Sequence, residues 1–200
     1  MDKAVSAWGQ WVRVRAGPAC LALVVLVGVL LGCRGDAVAG RRGDSWIEVP
    51  SHLTVAQSYP GGATGCVLPD PSGTGGCVTG ATDWVIGQVK SRFGVLPGAC
   101  WDRHAWNPRS DHPHGKACDY TVGRIGAFPA HPLVDGGWSL AKWLRANAGP
   151  LRVHYVIFQG RIWSREHDAE DWRPYNGGGV YDPRDVTGGH FDHVHVSTLQ

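Results

Sequence analysis

At 200 residues the chain has room for one domain with a substantial core, and it carries 19 basic and 17 acidic side chains, ten histidines, ten tryptophans and six cysteines. Residues 1–33 take away Lys3, Arg13, Arg15 and Asp2, so the remainder holds 16 charges of each sign. That balance, without any local block of Lys or Arg, excludes the electrostatic footprint of a nucleic-acid binder, and the absence of a glycine-rich loop between a strand and a helix argues against a nucleotide cofactor.

In chain order, Ala16 to Gly32 form an apolar run behind Lys3, Arg13 and Arg15, the pattern of an export signal. The run is shorter than the roughly 20 residues of a comfortable membrane span. Leu30-Leu31-Gly32-Cys33 also ends it as a bacterial lipoprotein signal would, with Cys33 as lipid acceptor, although Leu31 is bulky for that role. Cleaved signal, lipidated Cys33 and marginal membrane anchor all stay open, and each places the chain outside the cell or in its envelope, with a membrane tether in the last two. Residues 34–64 read as a linker, with Gly40-Arg41-Arg42-Gly43 as a polar break and Trp46-Ile47-Glu48-Val49 as either a short strand or part of the tether.

Residues 65–200 are the expected domain. Cys66, Cys77, Cys100 and Cys118 are an even set in an exported chain, which points to two disulfides. Of three pairings, Cys66 with Cys77 and Cys100 with Cys118 close the most local loops, each contributing about 3 kcal/mol by restricting the unfolded chain. A thiolate zinc site would need C-x-x-C pairs, and the chain has none. After loop-forming residues 60–76, Thr82 is the expected cap of a helix carrying Val85, Val89 and Phe93 and ending at Gly94. Ala117 to Val122 reads as a strand, residues 123–137 as a long loop, Leu140 to Asn147 as a second helix, and Val153–Phe158 with Arg161–Trp163 as strands around Gln159-Gly160. Val194 to Leu199 closes the chain as a last strand. The irregular order predicts an α+β domain, helices packed on a small antiparallel or mixed sheet and stapled by disulfides.

Two stretches carry chemistry. In Ser110-Asp111-His112-Pro113-His114-Gly115-Lys116-Ala117-Cys118-Asp119, Gly115 allows the backbone to turn, so that a loop histidine and a strand aspartate converge. Strand alternation puts Asp119 on the face of small Ala117 and sends Cys118 to the other, free for its disulfide. In Asp192-His193-Val194-His195 the same alternation puts both imidazoles on one face and the valines on the core side. Two histidines and one carboxylate form the ligand set of a divalent metal with a position left for water. His52, His154 and His167 are read as ordinary polar residues and His114 as surface. Ser110 is read as a brace of the His112 loop through a side-chain-to-backbone bond, Trp101, Trp106 and Trp163 as core by default, and His190 as either closing the cleft or simply preceding the strand.

The run Ser110 to Asp119 matches S-x-H-x-x-G-x-A-x-D and resembles the zinc D-alanyl-D-alanine carboxypeptidases with their lysostaphin-type and Hedgehog-like relatives. Together with Trp101 through Tyr120 and the ending Asp192 to Ser197, it is similar to a subfamily of secreted actinobacterial carboxypeptidase-like proteins, over roughly residues 76–197. The resemblance implies a Hedgehog/DD-peptidase-like fold, zinc held by His112, Asp119 and His195, and hydrolysis of peptidoglycan stem or crosslink peptides, as a D,D-carboxypeptidase or an endopeptidase. The group places Glu in E-x-W-H as general base, whereas this chain has Asp192 and Val194 in the Glu and Trp positions. A shorter acid reaches less far, and strand alternation turns it from His195, so His193 is preferred to Asp192 as base, with both acting if the strand starts only at His193. The upstream arginine of the group is matched best by Arg103, with Arg109 as alternate. The competing class is a zinc-containing cell-wall-binding module without turnover. A third is a purely structural exported domain. No pattern sets an oligomeric state.

Overall fold

The computed structural model describes Ala39–Arg42, Ser45–Glu48 and residues 55–200. The export segment and Cys33 lie outside the described residues, as does His52. Within the expected linker, β1 (Ala39–Arg42) and β2 (Ser45–Glu48) pair antiparallel, so Gly40 to Arg42 of the polar break lie in a strand and Trp46 to Glu48 belong to its partner. The packed body also starts earlier than residue 65. Ala56 is buried and its N–H donates to the Asn147 side chain at 2.9 Å, while the Tyr59 N–H donates to the Pro150 carbonyl at 2.8 Å.

β3 (Leu68–Pro69) and β4 (Cys77–Val78) make a short ladder closed by the Cys66–Cys77 disulfide. Helix α1 spans Gly80–Phe93. Its cap is Thr79 rather than Thr82: the Thr79 hydroxyl accepts the Thr82 N–H at 3.2 Å, and the Thr82 side chain, buried, meets the Thr198 hydroxyl instead. Val85 and Val89 face the core as their spacing predicts, and Gly94 ends the helix.

β5 (Gly98–Ala99) and β6 (Ala117–Thr121) follow, joined covalently by the Cys100–Cys118 disulfide. Both pairings are those favoured by loop length. The stretch expected as loop to residue 137 is loop only to Ala130, because α2 runs His131–Ala146. Pro132 sits in its first turn, where its fixed φ suits a helix and its missing N–H costs no bond; proline was a start signal here, not loop punctuation. A single turn, α3 (Ala148–Leu151), leads into β7 (Val153–Phe158), β8 (Arg161–Ser164) and β9 (Arg173–Pro174). Between β7 and β8, Gln159 and Gly160 both have positive φ, 50° and 66°, the backbone of a tight hairpin turn. β10 is His193–Thr198.

The domain is α+β, and its sheet of six strands runs in the order β5-β6-β10-β7-β8-β9 with every pair antiparallel. One face packs Cys118, Tyr120, Val156, Phe158, Val194 and Val196 against Val85 and Val89 of α1 and Leu140, Ala141 and Leu144 of α2. The opposite face carries Asp119, His193 and His195 and holds the site.

Candidate metal centre

β10 lies between β6 and β7, and its register sets the site. His195 stands directly opposite Asp119 on one side and Ile157 on the other, so ligand and carboxylate emerge side by side from neighbouring strands. His112 arrives from outside the sheet, in a turn of 3₁₀ helix (His112–His114) that ends at Gly115. Gly115 has φ +65°, and a Cβ there would stand 2.5 Å from Cys66 Sγ and 2.6 Å from the Cys77 carbonyl. Only glycine meets both demands, so the first disulfide hairpin forms the floor on which the His112 loop rests. The Thr79 N–H donating to the Gly115 carbonyl at 2.9 Å fixes the same contact. Ser110 braces the loop as expected, its hydroxyl accepting the His112 N–H at 3.3 Å.

His112, Asp119 and His195 each offer a ligand atom within 4.8 Å of the others. His112 Nε2 is 3.2 Å from Asp119 Oδ2, and the His195 Nδ1–H donates to Asp119 Oδ1 at 2.8 Å. The far nitrogen of each imidazole is also occupied. His112 Nδ1–H donates to the Cys100 carbonyl at 3.0 Å, and His195 Nε2 meets the Ser197 hydroxyl at 3.1 Å. These bonds fix ring orientation and leave one nitrogen of each ring turned to Asp119, the arrangement of a metal-ligating histidine. Tyr155 stacks on His195, with centroids 5.4 Å apart, and anchors its hydroxyl on Asp111 at 3.0 Å. The donor set fits a divalent ion such as zinc, and the group could hold a metal ion.

Charge follows the same geometry. Burial alone would raise the Asp119 carboxyl, but His112 and His193, with the hydrogen bonds from His112 and His195, hold it well below the usual carboxylate range. His112 and His193 are pulled up by Asp119 against the burial that lowers them, whereas burial wins at His195 and lowers it.

Asp192 and His193 divide their work. Asp192 is fully buried just before β10, and its carboxylate accepts the His193 Nδ1–H at 2.7 Å, the Gly126 N–H at 2.6 Å and the Thr187 hydroxyl at 2.7 Å. Burial would raise its pKa; those three bonds bring it down to about 2. Its oxygens are spent away from the triad. His193, oriented by Asp192, turns Nε2 toward the triad, 3.7 Å from Asp119 Oδ1.

A cavity of about 340 Å³ opens over these residues. Arg109 contributes to its wall, with its guanidinium 3.4 Å from the Gly178 carbonyl, while Arg103, the arginine preferred from the sequence, stands outside the lining; both are exposed. His114 is exposed; His154 and His167 make surface ion pairs with Glu166 and Glu170. Of the three tryptophans, Trp163 is buried and Trp106 stands 64 % exposed at the cavity wall. His190, left open between two roles, lines the cavity with its ring 4.6 Å from His193. His104 and Tyr155 were not anticipated. Tyr155 was legible: it shares a strand face with Ile157, and hence with His195 through the pairing register. His104 sits in the aperiodic segment before the His112 loop, where no spacing rule marks it.

Two disulfides belong to an oxidising compartment, and among the described residues no helix is long and apolar enough to cross a membrane. Residues 74–186, more than half of the chain, match the model of the family described as VldE, C-terminal domain. The matched span contains His112 and Asp119 and stops before Asp192, His193 and His195. No curated protein and no solved structure matches the chain.

Proposed function

The chain belongs to the VldE C-terminal domain family, and within it we propose an exported zinc peptidase that hydrolyses peptidoglycan stem or crosslink peptides, as a D,D-carboxypeptidase or an endopeptidase. The family's name states no reaction, so the reading rests on the site and on the resemblance of Ser110–Asp119 to zinc D-alanyl-D-alanine carboxypeptidases and Hedgehog-like domains. The observation that carries it is the Asp192–His193 pair aimed into the His112, Asp119, His195 triad.

His112, Asp119 and His195 would hold the ion. When bound, a divalent ion supplies Lewis acidity to an amide carbonyl and to the water that attacks it. His193 Nε2 takes the proton from the attacking water and returns it to the departing amine nitrogen as the C–N bond breaks. Asp192 keeps the imidazole in the tautomer with Nδ1 protonated, so that Nε2 is free to accept, and offsets the charge that forms on the ring. Arg109, the cation at the cavity wall, is set to meet a carboxylate or a developing oxyanion.

A second reading is a zinc-containing cell-wall-binding module without turnover. The feature favouring it is the Asp in place of Glu, with both carboxylate oxygens already committed to His193, Gly126 and Thr187. The test is mass spectrometry of purified peptidoglycan fragments incubated with metal-loaded protein beside an Asp119→Ala control. Loss of a terminal alanine or opening of a crosslink, absent in the control, supports the peptidase. Bound fragments that stay intact overturn it in favour of the module.

A further inference from the structure

Two imidazoles of the cavity, His104 and His190, are used by neither the ligand set nor the proton relay, and of these His190 is the one packed against His193 and His195. It is 7 % exposed, lines the cavity, and packs between the edge of Tyr175 and the rings of His193 and His195, with centroid distances of 5.0, 4.6 and 5.4 Å. Its Nδ1 is buried with no hydrogen-bond partner in the protein. A buried imidazole that makes poor use of its polarity is costly when an aromatic ring would pack as well.

The backbone adds an independent observation. His190 has φ 57°, in the left-handed region, immediately after Gly188 and Gly189, residues of the type that adopts that conformation without strain. The conformation is locked from both sides: the His190 N–H donates to the Thr187 carbonyl at 3.0 Å, and its carbonyl accepts the Gln159 N–H at 2.9 Å. Thr187 in turn holds Asp192. The fold therefore holds a strained backbone to bring this ring beside the proposed base, and strain of this kind collects where a side chain has work to do.

We propose that His190 is a substrate-contacting residue, whose ring nitrogen hydrogen-bonds the peptide backbone of the bound stem peptide next to His193. The proposal rests on the peptide-ligand reading of the cavity. With Nδ1 buried, the contact is assigned to the other ring nitrogen, Nε2. Gln places a polar atom where Nε2 lies, whereas Asn reaches only as far as Nδ1 and, like His, tolerates left-handed backbone; Phe keeps the ring packing and loses both nitrogens.

The experiment uses the full chain, metal-loaded, with a synthetic stem pentapeptide as probe, and measures binding by calorimetry, turnover, metal content and thermal stability for wild type, His190→Phe, His190→Asn and His190→Gln. Expected are peptide binding weakened about tenfold or more in His190→Phe and His190→Asn, a value nearer wild type in His190→Gln, and unchanged metal content. The tolerant backbone of His190→Asn keeps the test valid where His190→Phe does not fold. If wild type binds the peptide without cleaving it, the hydrolase reading falls while His190 is still judged by the ratio of affinities. Equal peptide affinity in wild type and His190→Asn, or loss of metal together with peptide, overturns the contact. Wild type that neither binds nor cleaves the peptide overturns both.

Discussion

Val194 and Val196 leave β10 on one side and His193 and His195 on the other, and the surroundings of each pair are opposite. The valines are wholly buried against the helices, in contacts that have no direction and tolerate any well-shaped apolar neighbour. The histidines are almost as buried, yet their ring nitrogens are assigned to particular oxygens: His193 Nδ1 to Asp192, and His195 Nδ1 to Asp119 and Nε2 to Ser197. Burial on the apolar face stabilises the sheet. On the polar face the same lack of water costs stability unless every partner is in place, and it orients the rings for chemistry. One strand thus serves as both core and site, and the faces should respond separately to mutation.

The largest separation is expected at Asp119, which bridges three histidines. Asp119→Ala should lower peptide turnover by about 10³-fold or more while the fold persists, read by an assay of released alanine or opened crosslink beside circular dichroism. Next, His193→Gln should cost about 10² to 10⁴ in turnover, as expected for loss of a general base, and Asp192→Asn about 10 to 100, as expected for loss of an orienting partner. A larger loss at Asp192 than at His193 would reverse the roles. On the apolar face, Val196→Ala should destabilise by about 2 kcal/mol in denaturant titration and leave turnover of the folded protein unchanged; a matching fall in turnover would mean the faces are coupled through the strand.

The effect confined to the narrowest range of conditions is in pH. Asp192 titrates near 2 in the folded protein, below the unfolded value of about 3.9, so its stabilisation is present above the unfolded value and is lost as pH falls through the folded one. Asp192→Asn should flatten the acid limb of the stability profile between those values. A limb of unchanged steepness would show that Asp192 is not held as described.

Much of this was legible because alternation is strict. Once Ala117 to Val122 and Val194 to Leu199 are strands, the separation of Asp119 from Cys118 and of His195 from Val194 and Val196 follows, and so does the disulfide on the other side. The match between loop length and cysteine pairing belongs to the same kind of local reasoning. Three things were not legible. Pro132 carries opposite meanings as a loop breaker and as a first-turn residue, and only the packing of Leu140, Ala141 and Leu144 on the sheet decides between them. Whether Asp192 or His193 faces the triad depended on where β10 begins, a difference of one residue. Arg103 and Arg109 lie in a segment without period, so neither could be placed until the chain around Gly178 was seen to meet Arg109.

The proposal turns on a division of labour among four residues: His112, Asp119 and His195 would hold the ion, and His193 would move the proton. The most direct test is the bound metal per chain, measured by elemental mass spectrometry on purified wild type, Asp119→Ala and His193→Ala. The account predicts about one equivalent, almost none, and about one equivalent, respectively. Wild type that purifies and dialyses against zinc without retaining it, or His193→Ala that loses it along with Asp119→Ala, would contradict the account.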